Sequence, residues 1–363
     1  HNKARRLGRP CRSKGMSGNA RESPTSPLPA SVSAPGSTSV AALIADADGG
    51  ALGERLAAMG LDASRSSSFA AAAARLLAAG VAPETRATAF WVPGRIEVLG
   101  KHTDYAGGRS LLCAVNRGFS VVAADRDDAV LRVFASFELT GEADVAEVAL
   151  AAAPEAASPA GWAMYPAVTA RRLARNFGIR GGVDLALSCD LPEASGMSSS
   201  SAVVIATFLC LSARNRLSAQ LRARLPTAEA LCHYLGCVEN GQEGSEKVPR
   251  ERAGGYTESH HSRVHQDCGP ELPGDAGVGT FGGSEDHTAI LLSRRAELRV
   301  YAFCPTALEA SLPSPPSLTW LIAASGATAR KGAERLAEYN NAALLARAAA
   351  AAAAAPATEG VAS

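Results

Sequence analysis

Arg95, Glu97, Lys101, His102, Asp104 and Tyr105 crowd into one short stretch, PGRIEVLGKHTDYAGG (Pro93 to Gly108), between glycine breaks. Hydrogen-bond donors and acceptors set among residues that let the backbone turn sharply describe a loop built around a polar ligand.

A second stretch, DLPEASGMSSSSAVVIATFLCLSARNRL, leaves a strand at a proline, passes through a Gly/Ser loop and enters a long apolar helix. That is the layout of a phosphate site. Small residues let the backbone approach the anion, successive N–H groups point at its oxygens, and the helix N-terminus adds a favourable dipole. Serine hydroxyls can also ligate Mg²⁺. The loop has no GK[ST] and is not a Walker loop, and by itself a serine-rich turn is an ordinary helix cap. A third stretch, GVGTFGGSEDHTAILL, sets acids in a Gly-rich loop ahead of an apolar segment. Asp286 is placed there to act as a base or, without chemistry, to cap a helix.

The elements that hold these loops are legible around them. VAALIADADGGALGERLAAMG and SSFAAAAARLLAAG read as two leading helices, with folded sequence beginning near Val40. ATAFWVPGRIEVLG has strand character up to Pro93, CAVNRGFSVVAADRDDAVLRVFAS reads as two strands joined by an Asp-rich turn, and VDLALSCDLP alternates as a further strand. Near the end, LTWLIAASG reads as a strand, followed by a helix and an Ala-rich tail.

The 363 residues, 47% hydrophobic and 20% charged, suit a globular protein of one large or two modest domains. A net charge of +1 gives no electrostatic case for nucleic acid, and no apolar run of about 18 residues reads as a membrane span. Cys113, Cys189 and Cys210 lie inside apolar runs, which fits reduced thiols and a cytoplasmic setting. Residues 1–39 are basic and then Ser/Pro-rich, and read as a disordered leader.

Together and in this order, the three stretches resemble the galactokinase branch of the superfamily of galactokinase, homoserine kinase, mevalonate kinase and phosphomevalonate kinase, the GHMP kinases. PGRIEVLGKHTDYAGG is similar to the sugar-binding signature, LPEASGMSSSSA to the nucleotide phosphate loop, and GGSEDHTAIL to the loop carrying the catalytic aspartate. The resemblance implies a two-domain α+β fold. An N-terminal mixed βαβ domain (40–275) would bind sugar and ATP, and an incomplete C-terminal α+β domain would span 276–363. It implies catalysis by Asp286 and Arg95, and sugar contacts from Lys101, His102, Asp104 and Tyr105. The phosphate loop would be Ser195, Gly196, Met197, Ser198, Ser199, Ser200 and Ser201. Mg²⁺ would be held by Ser199 or Ser200 together with Glu239. The implied reaction is ATP-dependent phosphorylation of a monosaccharide, galactose by default, at its anomeric hydroxyl. The alternative is a non-catalytic sugar or nucleotide sensor, or an inactive truncated kinase.

Three features depart from the family pattern. Lys101 replaces the usual Glu of GEHTDY, exchanging an acceptor for a pure donor and pointing to a loosened galactose pocket or to an acidic or differently substituted sugar. A polar segment over 243–273 separates Glu239 from Asp286. Its His260, His261, His265 and Cys268, after Cys232 and Cys237, sit at the wrong spacing for zinc and read as incidental. No late GAGFGG-like motif follows.

Overall fold

The computed structural model describes residues 37–137, 141, 143–150, 159, 161–192, 196–240, 272, 277–303, 305–317, 320–321 and 333–354. The leader up to residue 36, Ser195, His260, His261, His265, Cys268, nearly all of the 243–273 segment and most of the strand expected after Leu318 lie outside these residues.

One long strand organises the sheet. β1 (Ser37–Ser39) and β2 (Arg86–Leu99) lead into β3 (Arg109–Asp125), which pairs antiparallel with β2 along most of its length. On its other edge β3 changes partner. Its first residues, Arg109 to Leu112, pair with β7 (Glu297–Ala302), and its last, Phe119 to Asp125, with β6 (Val183–Cys189). β4 (Val130–Phe137) lies parallel to β6 and antiparallel to β5 (Ala143–Ala149), while β8 (Ala307–Pro313) pairs with β7. The eight strands form a mixed open sheet in an α+β fold. Because β7 and β8 join it through β3, described residues on both sides of the 275/276 boundary share one sheet.

Alternation along β3 sends Phe119, Val121 and Ala123 to one face and Val122 and Ala124 to the other. The first face is covered by α4 (Met164–Phe177), α5 (Ser199–Arg214) and α7 (Ala228–Asn240), whose Leu173, Phe208 and Leu235 fill the main core. A short α6 (Ser218–Arg224) links α5 to α7, and α8 (Glu285–Leu292) packs beside α7. The second face carries α1 (Val40–Asp48), α2 (Ala51–Ala58) and α3 (Ser66–Ala78). A last helix, α9, runs Ala333–Ala354. No single helix among the described residues is long and apolar enough to cross a membrane.

Four local expectations change. The first leading helix divides into α1 and α2 at Gly49–Gly50, where Gly50 takes φ +82° and ends the helical run. A short strand, β1, stands ahead of the helix that begins at Val40, its Ser37 pairing with Thr88. β2 does not stop at Pro93 but continues to Leu99, because Pro93 sits at a register shift where the ladder needs no N–H from it. The two strands flanking the Asp-rich turn form as expected but are not partners, since β6 inserts between them.

Asp184, near the start of that inserted strand, is buried and held by Arg126 at 2.8 Å and Arg132 at 2.7 Å. Its removal leaves two partly buried guanidinium groups short of an acceptor. Asp184→Ala is expected to cost about 3 kcal/mol, read as a lower urea midpoint at unchanged m-value.

Candidate active site

Gly94 lets β2 run against the phosphate loop. A Cβ there would fall 2.7 Å from Leu191 Cδ2 and 3.1 Å from Met197 O, and the next residue, Arg95, donates its N–H to Met197 O at 3.3 Å. The Arg95 guanidinium then reaches all three sequence stretches. It belongs to the first, its Nη1 donates to Gly196 O of the second at 2.6 Å, and its Nε donates to Asp286 Oδ1 of the third at 2.7 Å. Nη2 closes the same pair at 2.6 Å.

The phosphate loop turns through two residues in the left-handed region, Gly196 (φ +72°) and Ser198 (φ +57°), before α5 begins at Ser199. Ser198 and Ser201 both hydrogen-bond Asp286, the latter from Oγ to Oδ2 at 3.4 Å. Burial alone would raise the Asp286 pKa. The Arg95 charge, the Ser198 hydrogen bond and the His287 charge outweigh it and set the carboxyl at about 2. Asp286 is therefore an anion at any physiological pH.

Asp104, in the short 3-10 turn Asp104–Ala106, is buried and accepts from the Glu285 N–H at 3.2 Å. Gly283 is what admits it, since a Cβ on Gly283 would collide with Asp104 Oδ2. Burial is the main cause that lifts the Asp104 pKa to about 6, opposed by the Glu285 N–H and reinforced by the Asp286 charge. Asp104 faces a small cavity lined also by Tyr105, His233, Cys237 and Arg347. Tyr105 is buried and packs near His102, their ring centroids 5.9 Å apart, whereas His102 and Lys101 are exposed. Burial, then the Lys101 charge, lower the His102 pKa, which favours a neutral imidazole.

Of the proposed metal ligands, Ser200 is buried and hydrogen-bonded to Tyr165, which also feels the Glu239 charge. Ser199, at the start of α5, is half-buried. Glu239 Oε2 lies 3.0 Å from His287 Nε2. Among the described residues no cluster of three or more His, Cys, Asp or Glu can hold a metal.

Several contributors were given no role in the sequence reading. Glu97 was named only as part of the first stretch and Glu285 only among the acids of the third, and His287 looks like an ordinary helix residue. Asn240 was passed over beside Glu239, yet its side chain spans the aspartate loop, accepting from Thr280 Oγ1 (2.7 Å) and donating to Gly283 O (3.1 Å). Helix α9 takes in the helix expected near the end of the chain and the start of the Ala-rich run, and it contacts both loops. Asn340 bonds Phe281 N and Gly279 O, and Arg347 Nε donates to Tyr105 O. The only signal for this was two polar side chains interrupting an alanine-rich run.

The chain matches the galactokinase galactose-binding signature over residues 81–125 and the GHMP kinase N-terminal domain over residues 164–244. It is 39% identical over 117 residues to a galactokinase of Exiguobacterium sibiricum, and 35% identical over 121 residues to one of Actinobacillus pleuropneumoniae. Two segments of the chain are thus similar to galactokinases and to the N-terminal domain of the GHMP kinases. The matched spans are 31% and 33% of this chain, and cover only 29% and 30% of those two relatives. A Lactococcus lactis galactokinase complexed with galactose aligns at 21% identity and a TM-score of 0.37, over 62% of this chain and 47% of its own. The similarity rests on the matched sequence.

Ionised Asp104 costs folding energy. Its folded pKa lies above the unfolded 3.8, so stability is lost as pH rises from about 4 through 6 and stays lost above that. Asp104→Asn keeps the acceptor for Glu285 N–H and removes the charge. It is expected to raise stability above pH 6 by roughly 3 kcal/mol at most, the gain fading toward pH 4 in melts run as a pH series.

Proposed function

We propose that this chain transfers the terminal phosphoryl group of ATP to a hydroxyl of a neutral monosaccharide, with galactose and its anomeric hydroxyl as the first substrate to try. The observation that carries the reading is the Arg95 guanidinium joined at once to the phosphate loop and to an ionised Asp286. Phosphoryl transfer needs little covalent help from a protein. It needs an acceptor hydroxyl aimed in line, the phosphate oxygens held, and developing charge offset.

In this reading the N–H groups around Gly196 to Ser198 and the N-terminus of α5 cradle the phosphates. Asp286 accepts a hydrogen bond from the sugar hydroxyl and orients its lone pair toward the γ-phosphorus. As the new O–P bond forms and the bond to the β-phosphate oxygen breaks, Asp286 takes the hydroxyl proton. Its low basicity then releases that proton to the phosphorylated product or to solvent. Arg95 holds Asp286 ionised and offsets charge on the phosphoryl oxygens.

Ser200 and Glu239 suit a hard cation, since both offer oxygen, and Mg²⁺ would complete its shell with phosphate oxygens and water. Bound there, the cation would neutralise phosphate charge. His287 beside Glu239 fixes that carboxylate's direction.

Sugar hydroxyls would be read by Asp104, with His102 and Tyr105 shaping the wall. Glu97, Asp104, Glu285 and Asp286 make this region acidic, and Lys101 is exposed beside it, which favours a neutral sugar over a hexuronic acid.

ADP release with Mg-ATP, measured against galactose, other hexoses, pentoses and hexuronic acids, tests the reading. Turnover with one neutral sugar that falls at least about 10³-fold in Asp286→Asn is the expected result. Calorimetric sugar binding with no turnover in folded protein would instead support a sensor.

A further inference from the structure

The aspartate loop ahead of α8 has no ladder of its own. Residues 277–284 form neither helix nor strand, and Gly277 and Gly279 lie in the left-handed region (φ +50° and +82°). Backbone groups in such a segment bond to side chains or are left to water. Two asparagines supply the side chains. Asn240, the last residue of α7, accepts from Gly282 N–H at 3.2 Å and donates to Gly283 O at 3.1 Å. Asn340 of α9 accepts from Phe281 N–H at 2.9 Å and donates to Gly279 O at 2.9 Å. The Asn340 amide thus gives the loop both halves of what a neighbouring strand would give.

From Asn340 to Arg347 is about two helical turns, so both side chains leave the same face of α9. Arg347 Nε donates to Tyr105 O at 3.1 Å, and its guanidinium lies 5.8 Å from the centroid of the Tyr105 ring, in the short turn that carries Asp104. Between the two, Ala343 is the one buried side chain among those described on α9, while Tyr339 and Leu345 are exposed. A single methyl group offers little apolar area. The polar bonds at the two ends therefore decide where this helix sits.

We propose that Asn340 and Arg347 are positioning residues, through which α9 clasps the aspartate loop against the turn that carries Asp104. Asp104 Oδ2 accepts from the Glu285 N–H at 3.2 Å, which closes the circuit from α9 through one loop to the other and back. The two residues act on different groups. Asn340 fixes the loop that leads into Asp286 and holds Gly283 where it leaves room for Asp104. Arg347 fixes the turn itself. The phosphate loop is placed separately, by Arg95 and the start of α5.

Amide exchange reads the clasp without reference to any activity, and only the kinetic arm rests on the kinase reading. In Asn340→Ala the Phe281 amide is expected to exchange at least about tenfold faster while amides of β3 and β6 keep their protection. Asn340→Asp, which keeps the acceptor, is expected to recover most of the Phe281 protection. In kinetics, Asn340→Ala is expected to lower kcat by about tenfold or more through Asp286, and Arg347→Ala to raise the sugar KM about tenfold through Asp104, both with the ATP KM unchanged. Arg347→Lys, which keeps a donor for Tyr105 O, is expected to recover most of that KM. Unchanged exchange at Phe281 in Asn340→Ala overturns the proposal. So does protection lost equally across β3 and β6, because α9 would then be part of the core, and so does an equal rise in the sugar and ATP KM values. If the wild-type protein phosphorylates no sugar, the kinase reading fails while the exchange at Phe281 still decides the clasp.

Discussion

One guanidinium is the point through which the site is assembled. Arg95 and Asp286 stand 191 residues apart in the chain and 2.7 Å apart in space, and Arg95 also bonds Gly196 O of the phosphate loop. A half-buried ion pair is stabilising only when its remaining donors and acceptors are met. Here Ser198 and Ser201 meet those of Asp286, and the loop carbonyl meets Nη1. The partners that stabilise the pair are thus the groups an incoming phosphate would touch. Packing the pair and shaping the phosphate loop are one structural event.

The scaffold that permits this is set by close backbone approaches. Gly94 brings β2 onto Met197, and Gly283 leaves room for Asp104. The partner switch along β3 then does the long-range work. Its C-terminal half is locked beside β6, which leads into the phosphate loop, and its N-terminal half beside β7, which follows α8 and Asp286. A single strand therefore fixes the distance between the two loops that Arg95 bridges. Asn240 and Asn340, one before and one after the aspartate loop in sequence, fasten it through backbone groups that a glycine-rich segment would otherwise leave to water.

The three stretches that meet at Arg95 were legible because each combines glycine or serine with side chains costly to bury, a pattern that packing alone does not require. Local elements were legible where periodicity was strong, as in β6 and α5. Less was legible where the outcome depended on distant partners. That β6 would part β3 from β4 follows from pairing across tens of residues, which no local pattern encodes. The GG pair that splits α1 from α2 was visible, but the helical composition on both sides outweighed it in the reading. Glu285 was given no role for a plainer reason. A glutamate in a helix's first turn is ordinary, and only the folded chain puts it against Ser110 and Asp104.

Charge, more than shape, distinguishes this pocket. Glu97, Asp104, Glu285 and Asp286 converge on a region where Arg95 supplies the buried positive charge and His102 is pushed toward its neutral form. Burial there disfavours ionised carboxyls unless a cation or donor offsets it. Asp286 has Arg95 and its pKa is lowered, while burial raises that of Glu285. Asp104 lies between, with a pKa of about 6, and its ionisation is the step at which folding free energy is exchanged for the capacity to grip a hydroxyl. Lys101, exposed at the rim, enters this balance mainly by suppressing the charge on His102. The lysine at this position of the stretch therefore acts on its neighbour's protonation through space, without a bond to it.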